Sequence, residues 1–364
     1  MNVLIVTSNL SLRSGVASFL VNYLRNLDRT NNHFSLIYYD EASTPTYNDE
    51  LNKLGISLFY IPRKSFVSNF NRFCKEHFEQ FDLIHINDPY LGFLFIGIKK
   101  KLGVKKVVFH SHSTKFSDSS CKSLRNFLLS IPSRFIADAF FACSKKAGIK
   151  IFGHKFHKKG TVIYNAIDLN KFQFNQWSRL TVRKSLNIDD KCVVIGHVGN
   201  MTPPKNHLFL IDVFCEYLKT NPDSVLLMVG DGYLKRKIIK KASRMSIENK
   251  LIFAGVVSNV WDYYSAMDYF VFPSKFEGFG MALVEAQING LNCLYSNVIP
   301  FEADLNPLLN CKKSLKRGFK EWANSLSTLK KRFDQNSSVS FKRFDASEAA
   351  PFLMDTYHKI FNNE

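Results

Sequence analysis

Short runs that are hydrophobic at every position alternate with amphipathic stretches along this chain, and this alternation is the strongest constraint on its fold. Uninterrupted apolar runs are typical of parallel strands that are covered on both faces. In the first half they predict strands at Val3–Thr7, Phe34–Tyr39, Leu58–Ile61, Leu83–Ile86, Val107–Phe109 and Ala139–Ala142. A helical pattern over 16–26, with Phe19, Tyr23 and Leu24 on one face, follows the first strand. Strands separated by helices predict a doubly wound α/β domain.

The pattern begins again after residue 190 and predicts a second domain of the same class. Its strands are predicted at Val193–Val198, Val225–Val229, Leu251–Phe253, Tyr269–Phe272 and Asn292–Tyr295. The polar, weakly patterned segment Asn165–Ser185 is the predicted linker. A length of 364 residues fits two domains. We therefore expect two Rossmann-like α/β domains in tandem, which bind ligands at the carboxyl ends of their strands, in the cleft between them.

The net charge of +18 indicates an anionic partner. Residues 1–182 hold 25 Lys and Arg against 12 Asp and Glu, whereas residues 183–364 hold 24 against 19. Nucleic acid, an acidic membrane surface and phosphorylated substrates are all compatible with this excess of positive charge. The sequence shows no run of about 18 apolar residues, so no transmembrane helix is expected.

The seven cysteines are widely spaced and odd in number, which favours a reducing cytoplasm over a zinc site or a disulfide framework. The apolar run at the N-terminus lacks a basic segment before it, so we interpret it as a strand rather than a signal peptide.

The most informative segment is 271–287, VFPSKFEGFGMALVEAQ, which leads from a strand through a glycine-containing turn into a helix. Gly278 and Gly280 allow a backbone to approach a ligand closely, and a helix N-terminus binds anions such as phosphate. Glu277 and Glu285 stand eight residues apart and can accept hydrogen bonds from sugar hydroxyls. The structural alternative is a capping Glu277 and a solvated Glu285.

This segment resembles the donor-binding signature of glycosyltransferase family 4, whose members are retaining enzymes of the GT-B fold. Other strings match in the expected order: Ala142–Ser144, Tyr164–Asp168, Gly196–His207 and Met228–Gly232. The set resembles bacterial capsule and exopolysaccharide transferases. The resemblance implies an acceptor-binding domain at 1–170 and a nucleotide-sugar-binding domain at 183–345. A helix over about 346–364 is expected to pack back on the first domain.

The resemblance also assigns roles to residues of the second domain. Glu277 matches the family's glutamate that contacts the transferred sugar, and Glu285 matches the glutamate that holds the ribose of the nucleotide. Lys205 matches the lysine that neutralises the diphosphate of the donor. A fixed cation there stabilises the charge that develops on the leaving nucleotide. Glu277 and Lys205 are the predicted catalytic residues of this domain. The remaining donor-binding predictions are Gly15, Asn200, Gly278, Phe279, Gly280, Met281 and Ala282.

Two positions depart from the family pattern. Asn200 stands where family members usually carry an arginine, so a charge and a bidentate donor are lost. Lys275 and Arg13 are the candidate replacements. The loop 9–18 retains Gly15 where the family often has two adjacent glycines. The plain alternative for this loop is an ordinary strand–helix turn.

The first domain carries further candidates at its strand ends. His110 matches a family histidine that hydrogen-bonds the transferred sugar and is predicted to be catalytic, whereas His112 is expected on the other face of the strand. Asp88 and Tyr90 are predicted to contact the acceptor, with a turn-forming Asp-Pro pair as the alternative. His110 and His112 have no acidic or cysteine cluster beside them, and Asp-x-Asp is absent from the sequence. We therefore expect no metal cofactor.

The resemblance implies a hexosyltransferase-type enzyme that moves a sugar from a nucleotide-diphosphate sugar, here expected to be a UDP-sugar, to a hydroxyl of a lipid-linked oligosaccharide. It implies front-face substitution, in which the departing diphosphate helps to deprotonate the acceptor and the protein positions and stabilises charge. The basic clusters of the first domain, such as Lys99–Lys101 and Lys145–Lys146, predict binding to an anionic membrane surface. The expected location is the cytoplasm, at the inner face of the cell membrane.

Other classes of protein fit less well. A nucleic-acid-binding protein fits the charge but lacks a recognition module, so we expect no nucleic acid partner. A nicotinamide oxidoreductase lacks G-x-G-x-x-G after the first strand, and an epimerase is disfavoured by the paired glutamates. The main rival is a non-catalytic GT-B relative that binds a nucleotide or a partner transferase, which the departures at Asn200 and Gly15 would suit.

Overall fold

The computed structural model describes residues 1–12, 14–42, 45–114, 116, 120–330 and 341–363, excluding the side chains of 120 and 121. The chain forms two compact units. Unit 1 comprises Met1–Asp168 with Lys342–Glu364, and unit 2 comprises Leu169–Phe341.

The described part of unit 1 contains a seven-stranded parallel sheet. Its strands are β1 Asn2–Thr7, β2 His33–Tyr38, β3 Ser57–Tyr60, β4 Leu83–Ile86, β5 Lys106–Ser111, β6 Ala139–Ala142 and β7 Gly160–Val162. The strand order is β3-β2-β1-β4-β5-β6-β7, so the chain reverses its direction of growth beside β1. In such sheets the ligand site lies at this reversal, beyond the carboxyl ends of β1 and β4.

Helices cover the sheet of unit 1. They span Gly15–Asn26, Asn48–Lys53, Phe66–Glu76, Ile98–Leu102, Ser120–Ser130, Ser133–Ile136, Lys145–Phe152, Lys155–Lys159 and Ala346–Asn362, and short 3-10 turns span Arg63–Ser65, Pro89–Phe95 and Lys342–Phe344. The last helix packs against the first, where Leu353 and Tyr357 join Phe19 and Leu20 in one buried cluster. The C-terminal segment thereby completes the core of unit 1.

The described part of unit 2 contains a six-stranded parallel sheet. Its strands are β8 Val193–Val198, β9 Ser224–Val229, β10 Leu251–Gly255, β11 Tyr269–Phe272, β12 Asn292–Ser296 and β13 Cys311–Lys313, in the order β10-β9-β8-β11-β12-β13. Its helices span Leu169–Phe172, Gln176–Ser185, His207–Leu218, Lys235–Arg244, Val260–Ala266, Met281–Ile288 and Gly318–Thr328, with 3-10 turns at Pro203–Lys205, Glu248–Lys250, Phe301–Ala303 and Leu315–Arg317. The predicted α/β class with two Rossmann-like sheets is confirmed.

The chain passes from unit 1 to unit 2 after Asp168, within the segment Asn165–Ser185 that was predicted as the linker, and most of this segment is helical. Asn175 caps the helix Gln176–Ser185 by accepting a 2.9 Å hydrogen bond from the Ser178 amide. Arg179 and Arg183 lie 2.7 and 2.8 Å from the two oxygens of Asp268, which precedes β11. These ion pairs join residues 89 and 85 positions apart, so the local polarity of the segment gave no sign that it is anchored in unit 2.

Candidate active site

Two loops at the carboxyl ends of β8 and β9 pack directly against each other. A Cβ atom on Gly230 would lie 2.3 Å from the carbonyl oxygen of Gly199, and one on Gly232 would lie 2.6 Å from that of Met201. Only glycine fits such contacts, which real Cβ atoms do not make. The Met201 amide donates a 2.9 Å hydrogen bond to the Asp231 carbonyl and fixes the two loops.

The loop after β8 presents Lys205 to the segment that follows β11. Asn206 adopts the left-handed conformation (φ 59°), and its side-chain amide donates a 3.1 Å hydrogen bond to the Pro273 carbonyl. The Lys205 ammonium lies 2.7 Å from Oε1 of Glu277 and 4.9 Å from the ring centroid of Phe272. The structure thus brings together two predicted site residues that are 72 positions apart.

Glu285 lies on the helix Met281–Ile288, where its Oε2 accepts a 2.7 Å hydrogen bond from the Tyr264 hydroxyl. Burial raises the pKa of Glu285, while Tyr264 and the charge of Lys205 oppose that rise. This hydrogen bond engages Oε2 of Glu285 and not Oε1. Tyr264 is a site residue that the sequence analysis missed, because its spacing from the motif carries no signal.

Gly280 precedes this helix in a left-handed conformation (φ +102°), and a Cβ there would lie 3.2 Å from Cγ2 of Ile299. Phe279 and Gly280 are buried, whereas Gly278, Met281 and Ala282 are half-buried. Gln287 anchors the helix, since its Oε1 accepts hydrogen bonds from the amides of Leu305 and Asn306 at 2.7 and 3.2 Å. The predicted donor segment is therefore rigidly held.

One of the two departures from the family pattern, Asn200, lies beside this site, together with the candidate replacement Lys275. Asn200 is exposed on the loop after β8, and Lys275 is exposed on the loop after β11. The Lys275 amide donates a 2.7 Å hydrogen bond to the Pro204 carbonyl, so its backbone stands beside the Lys205 turn. Arg13, the other candidate replacement cation, lies outside the described residues.

Two buried histidines lie beneath the Lys205 loop and were not predicted. His197 is fully buried and places Nδ1 2.9 Å from the Val271 carbonyl, while its ring lies 4.5 Å from that of His207. Burial lowers the pKa of His197 to about 4 and that of His207 to about 2. Both rings are neutral at physiological pH and support the loop without adding charge.

Unit 1 has its own polar cavity of about 400 Å³ at the ends of β4 and β5. Asp88, Tyr90 and His112 line it, together with Asn87 and Ser113. The His112 Nε2 donates a 2.8 Å hydrogen bond to Oδ1 of Asn87. Burial lowers the pKa of His112 to about 3, so the ring is neutral and can hydrogen-bond a sugar hydroxyl.

His110 is fully buried within unit 1 and is not among the residues that line this cavity. Its Nδ1 lies 3.1 Å from Nε2 of His85, whose Nδ1 lies 2.6 Å from the Tyr357 hydroxyl of the C-terminal helix.

The rings of His110 and His112 stack at 4.0 Å, so the expectation that they occupy opposite faces was wrong. Side chains alternate along a strand, and residues two apart share a face.

Asp88 and Tyr90 belong to a hydroxyl network at the cavity wall. The Tyr39 hydroxyl donates a 2.7 Å hydrogen bond to Oδ2 of Asp88 and lies 2.8 Å from the Tyr90 hydroxyl. Burial raises the pKa of Asp88, and the hydrogen bond from Tyr39 opposes that rise. The network holds one carboxyl and two hydroxyl groups in a single hydrogen-bonded chain at the cavity wall.

Gly15 begins the first helix of unit 1, which Ser14 caps through a 3.2 Å hydrogen bond from the Ala17 amide. A Cβ on Gly15 would meet no described heavy atom within 4 Å, so the protein itself does not require glycine there.

Across the described residues, no group of three or more His, Cys, Asp and Glu could hold a metal ion. No helix in that same part of the chain is long and apolar enough to cross a membrane.

The folds of known proteins agree with this architecture. The crystal structure of Anabaena HepE in complex with UDP and glucose superposes with a TM-score of 0.80 at 16% identity, over 99% of this chain and all of that one. This likeness confirms the predicted GT-B class of fold.

Sequence comparison identifies the class of enzyme. The family model "Glycosyl transferases group 1" matches residues 178–307, and the model "Glycosyltransferase Family 4" matches residues 13–171. The Bacillus subtilis (strain 168) protein EpsF is 27% identical over 95% of this chain and 94% of its own length. The UDP-Gal:alpha-D-GlcNAc-diphosphoundecaprenol alpha-1,3-galactosyltransferase of Escherichia coli is 26% identical over 79% of this chain and 77% of its own.

These matches define the protein as a glycosyltransferase. More particularly, it is a glycosyltransferase of the family 4 type, and its relatives include transferases of capsular polysaccharide and O-antigen biosynthesis. The predicted family and enzyme class are confirmed.

Proposed function

We propose that the protein transfers a sugar from a UDP-sugar to a hydroxyl of a lipid-linked oligosaccharide during surface polysaccharide synthesis, with retention of anomeric configuration. The observation that carries the donor half is the cluster in unit 2 of Lys205, Glu277 and Glu285 at the carboxyl ends of its strands. It combines a cation for a diphosphate with two carboxylates for hydroxyls, the chemistry that a nucleotide-diphosphate sugar needs.

Within this proposal, Lys205 neutralises the diphosphate as the bond between it and the sugar carbon breaks. The 2.7 Å pair with Glu277 orients the ammonium and also holds the carboxylate that receives the sugar hydroxyls. The acceptor oxygen bonds to the same face of the sugar carbon, and its proton passes to the departing diphosphate oxygen. The protein's contribution is position and charge stabilisation, and no metal ion is assigned a role.

We assign the acceptor to unit 1, in the polar cavity. Asp88, Tyr90 and His112 supply a carboxyl, a hydroxyl and an imidazole on one wall of a space of about 400 Å³. The E. coli relative acts, by its name, on a diphosphoundecaprenol-linked sugar, which supports an acceptor of this class. His112 replaces His110 as the histidine proposed to contact substrate, because His110 has no exposed surface.

We also retain binding to an anionic membrane as part of the proposal. The basic excess of residues 1–182 supports it, although Lys99 and Lys105 form ion pairs with Asp138 and Asp82 at 2.8 and 3.3 Å. The stronger candidates are exposed lysines of the same unit, namely Lys145, Lys146, Lys158 and Lys159. Co-sedimentation with phosphatidylglycerol vesicles should fall when Lys158 and Lys159 are changed to Glu.

Radiolabelled sugar transfer from a panel of UDP-sugars to a bacterial lipid extract tests the enzymatic proposal. We expect incorporation with one donor, and a loss of at least roughly 100-fold in Lys205→Ala and Glu277→Ala. Lys240→Ala removes an exposed lysine of unit 2 and serves as the matched control. Absence of transfer with every donor, together with normal UDP binding by Glu277→Ala, would contradict the proposal and favour the non-catalytic alternative.

A further inference from the structure

Unit 1 contains a second cavity, of about 740 Å³, which we call the apolar groove. Its apolar lining consists of Phe66, Val67, Leu91, Phe93, Leu94 and Leu129. Phe66 and Leu91 are buried, whereas Val67 and Phe93 are 58% and 44% exposed. The groove therefore has a buried apolar floor and an apolar rim that opens to the surface.

Three positively charged side chains line the same groove. Arg63, Lys64 and Arg125 line it, and its lining contains no Asp or Glu from the described residues. The Arg63 Nε lies 3.1 Å from Oδ1 of Asp40, its guanidinium lies 5.3 Å from the Tyr39 ring centroid, and the side chain stays 61% exposed. The Arg125 Nη2 donates a 3.0 Å hydrogen bond to Oδ1 of Asn126. Neutral polar residues, among them Ser65, Ser68 and Asn71, also line the groove, but its charged lining residues are all cationic. An apolar floor with cations at its rim is complementary to an amphiphile with an anionic head.

The apolar groove adjoins the polar cavity that holds Asp88 and His112. Tyr90 and Asn126 line both spaces, and Tyr39, which lines the groove, hydrogen-bonds Asp88 at 2.7 Å. A ligand whose chain lies in the groove would place its head at this shared wall. The sugar beyond the head would then reach the polar cavity.

We propose that the apolar groove binds the isoprenoid-diphosphate end of the lipid-linked acceptor, with Arg63, Lys64 and Arg125 on the diphosphate and the apolar wall on the first isoprene units. This inference rests on the proposed function and gives the acceptor a chemical class and a second subsite. Two guanidinium groups suit a diphosphate because each can donate two parallel hydrogen bonds to phosphate oxygens.

The surface around the groove suits a chain that arrives from a bilayer. Leu124 and Leu128 of the helix Ser120–Ser130 are 64% and 54% exposed, and Phe135 of the next helix is 73% exposed. Both helices pack on Pro89–Phe95, which forms one wall of the groove. These side chains give the elements beside the groove an exposed apolar surface, on which a lipid tail can remain partly in the membrane.

Calorimetry with geranylgeranyl diphosphate tests the inference, because this probe carries the isoprenoid and the diphosphate but no sugar. We expect the wild-type protein to bind it at least roughly tenfold more tightly than geranylgeraniol or inorganic diphosphate. The double variant Arg63→Glu with Arg125→Glu should lose the preference for the diphosphate, and Val67→Asp should weaken binding at least roughly tenfold. The double variant Lys53→Glu with Lys150→Glu carries the same charge change at exposed positions elsewhere in unit 1 and should bind normally.

Three results of this titration would overturn the inference. Equal binding of geranylgeraniol and its diphosphate, or unchanged binding in the Arg63 and Arg125 variant, would overturn the inference. Equal weakening in the Lys53 and Lys150 control would assign the effect to general surface charge and would overturn it too. Thermal unfolding monitored by circular dichroism reports whether unit 1 of every variant is folded. Probe binding without any sugar transfer would contradict the proposed function alone, whereas transfer without probe binding would contradict the groove alone.

Discussion

The Tyr264 hydroxyl donates a 2.7 Å hydrogen bond to Oε2 of Glu285, from a helix that precedes β11 to the helix that follows it. The bond holds a buried carboxylate whose pKa burial has raised. It also links the residue proposed to bind the ribose to an element outside the motif. The ionisation of Glu285 is therefore set by its tertiary surroundings.

Replacement of Tyr264 by Phe should shift the pH dependence of UDP binding. The ionised carboxylate accepts stronger hydrogen bonds than the protonated carboxyl, so UDP affinity should fall as the pH decreases through the raised pKa of Glu285. Loss of the Tyr264 hydroxyl removes an interaction that lowers this pKa, so the decrease should begin at a higher pH. Calorimetry with UDP between about pH 5 and 8 measures the shift. Glu285→Gln should abolish the pH dependence, and an unchanged midpoint in Tyr264→Phe would refute the assigned linkage.

Replacement of Asn200 by Arg should strengthen donor binding. Asn200 is exposed on the loop that leads to Lys205, where the family resemblance indicates a second cation on the diphosphate. A charge-assisted hydrogen bond contributes about 1.5 to 3 kcal/mol, so the Kd for UDP should fall by about tenfold or more. Asn200→Gln keeps a neutral side chain and should leave the Kd unchanged. Weaker binding by the arginine variant would show that another group already fills this place.

His112 and His110 should respond differently to substitution. His112 lines the polar cavity, so His112→Ala should lower kcat/KM for the acceptor by about tenfold with a small loss of stability. His110 is fully buried between His85 and Phe19, so His110→Ala should cost about 2 kcal/mol of unfolding free energy. Initial rates and urea denaturation measure the two effects. The exposed His154→Ala is the control, and the opposite ranking of rates would restore His110 as the contact residue.

Replacement of Gly280 by Ala should destabilise unit 2. The left-handed conformation costs an L-residue about 1 to 2 kcal/mol, and the new Cβ would lie 3.2 Å from Ile299. Because Gly280 precedes the donor-binding helix, UDP affinity should fall together with stability. Gly15→Ala offers a comparison, since its Cβ would meet no described heavy atom within 4 Å and should cost little. Equal costs of the two substitutions in guanidinium denaturation would be evidence against backbone strain at Gly280.

The buried histidines should make the protein less stable in mild acid. Burial lowers the pKa of His207 to about 2, whereas an unfolded histidine titrates near about 6.5. Below about pH 6.5 the unfolded state therefore binds a proton that the folded state does not, and stability falls by up to about 1.4 kcal/mol per pH unit. His207→Phe should reduce the slope of unfolding free energy between about pH 7 and 5. The exposed His157→Phe should not, and identical slopes for both would refute this account.

The motifs of the second domain could be predicted from the sequence because their chemistry is local. The strand, the glycines and the two glutamates of 271–287 lie within one strand–turn–helix unit, and the structure has β11 and the helix Met281–Ile288 there. The first domain gave weaker signals, since its polar cavity is assembled from the ends of β4 and β5 and from residues of the helices Gly15–Asn26, Ser120–Ser130 and Lys145–Phe152. No pattern near Asp88 indicates Tyr39, 49 positions away.

The sequence by itself determined two parallel α/β domains and the family of the enzyme, because hydrophobic periodicity and short motifs depend on neighbouring residues alone. Only the tertiary structure decided which of His110 and His112 reaches the polar cavity, which hydroxyl holds Glu285, and that the predicted linker is a helix tied to Asp268. The physical reason is that burial, hydrogen-bond partners and ion pairs arise between residues that meet only when distant segments pack together.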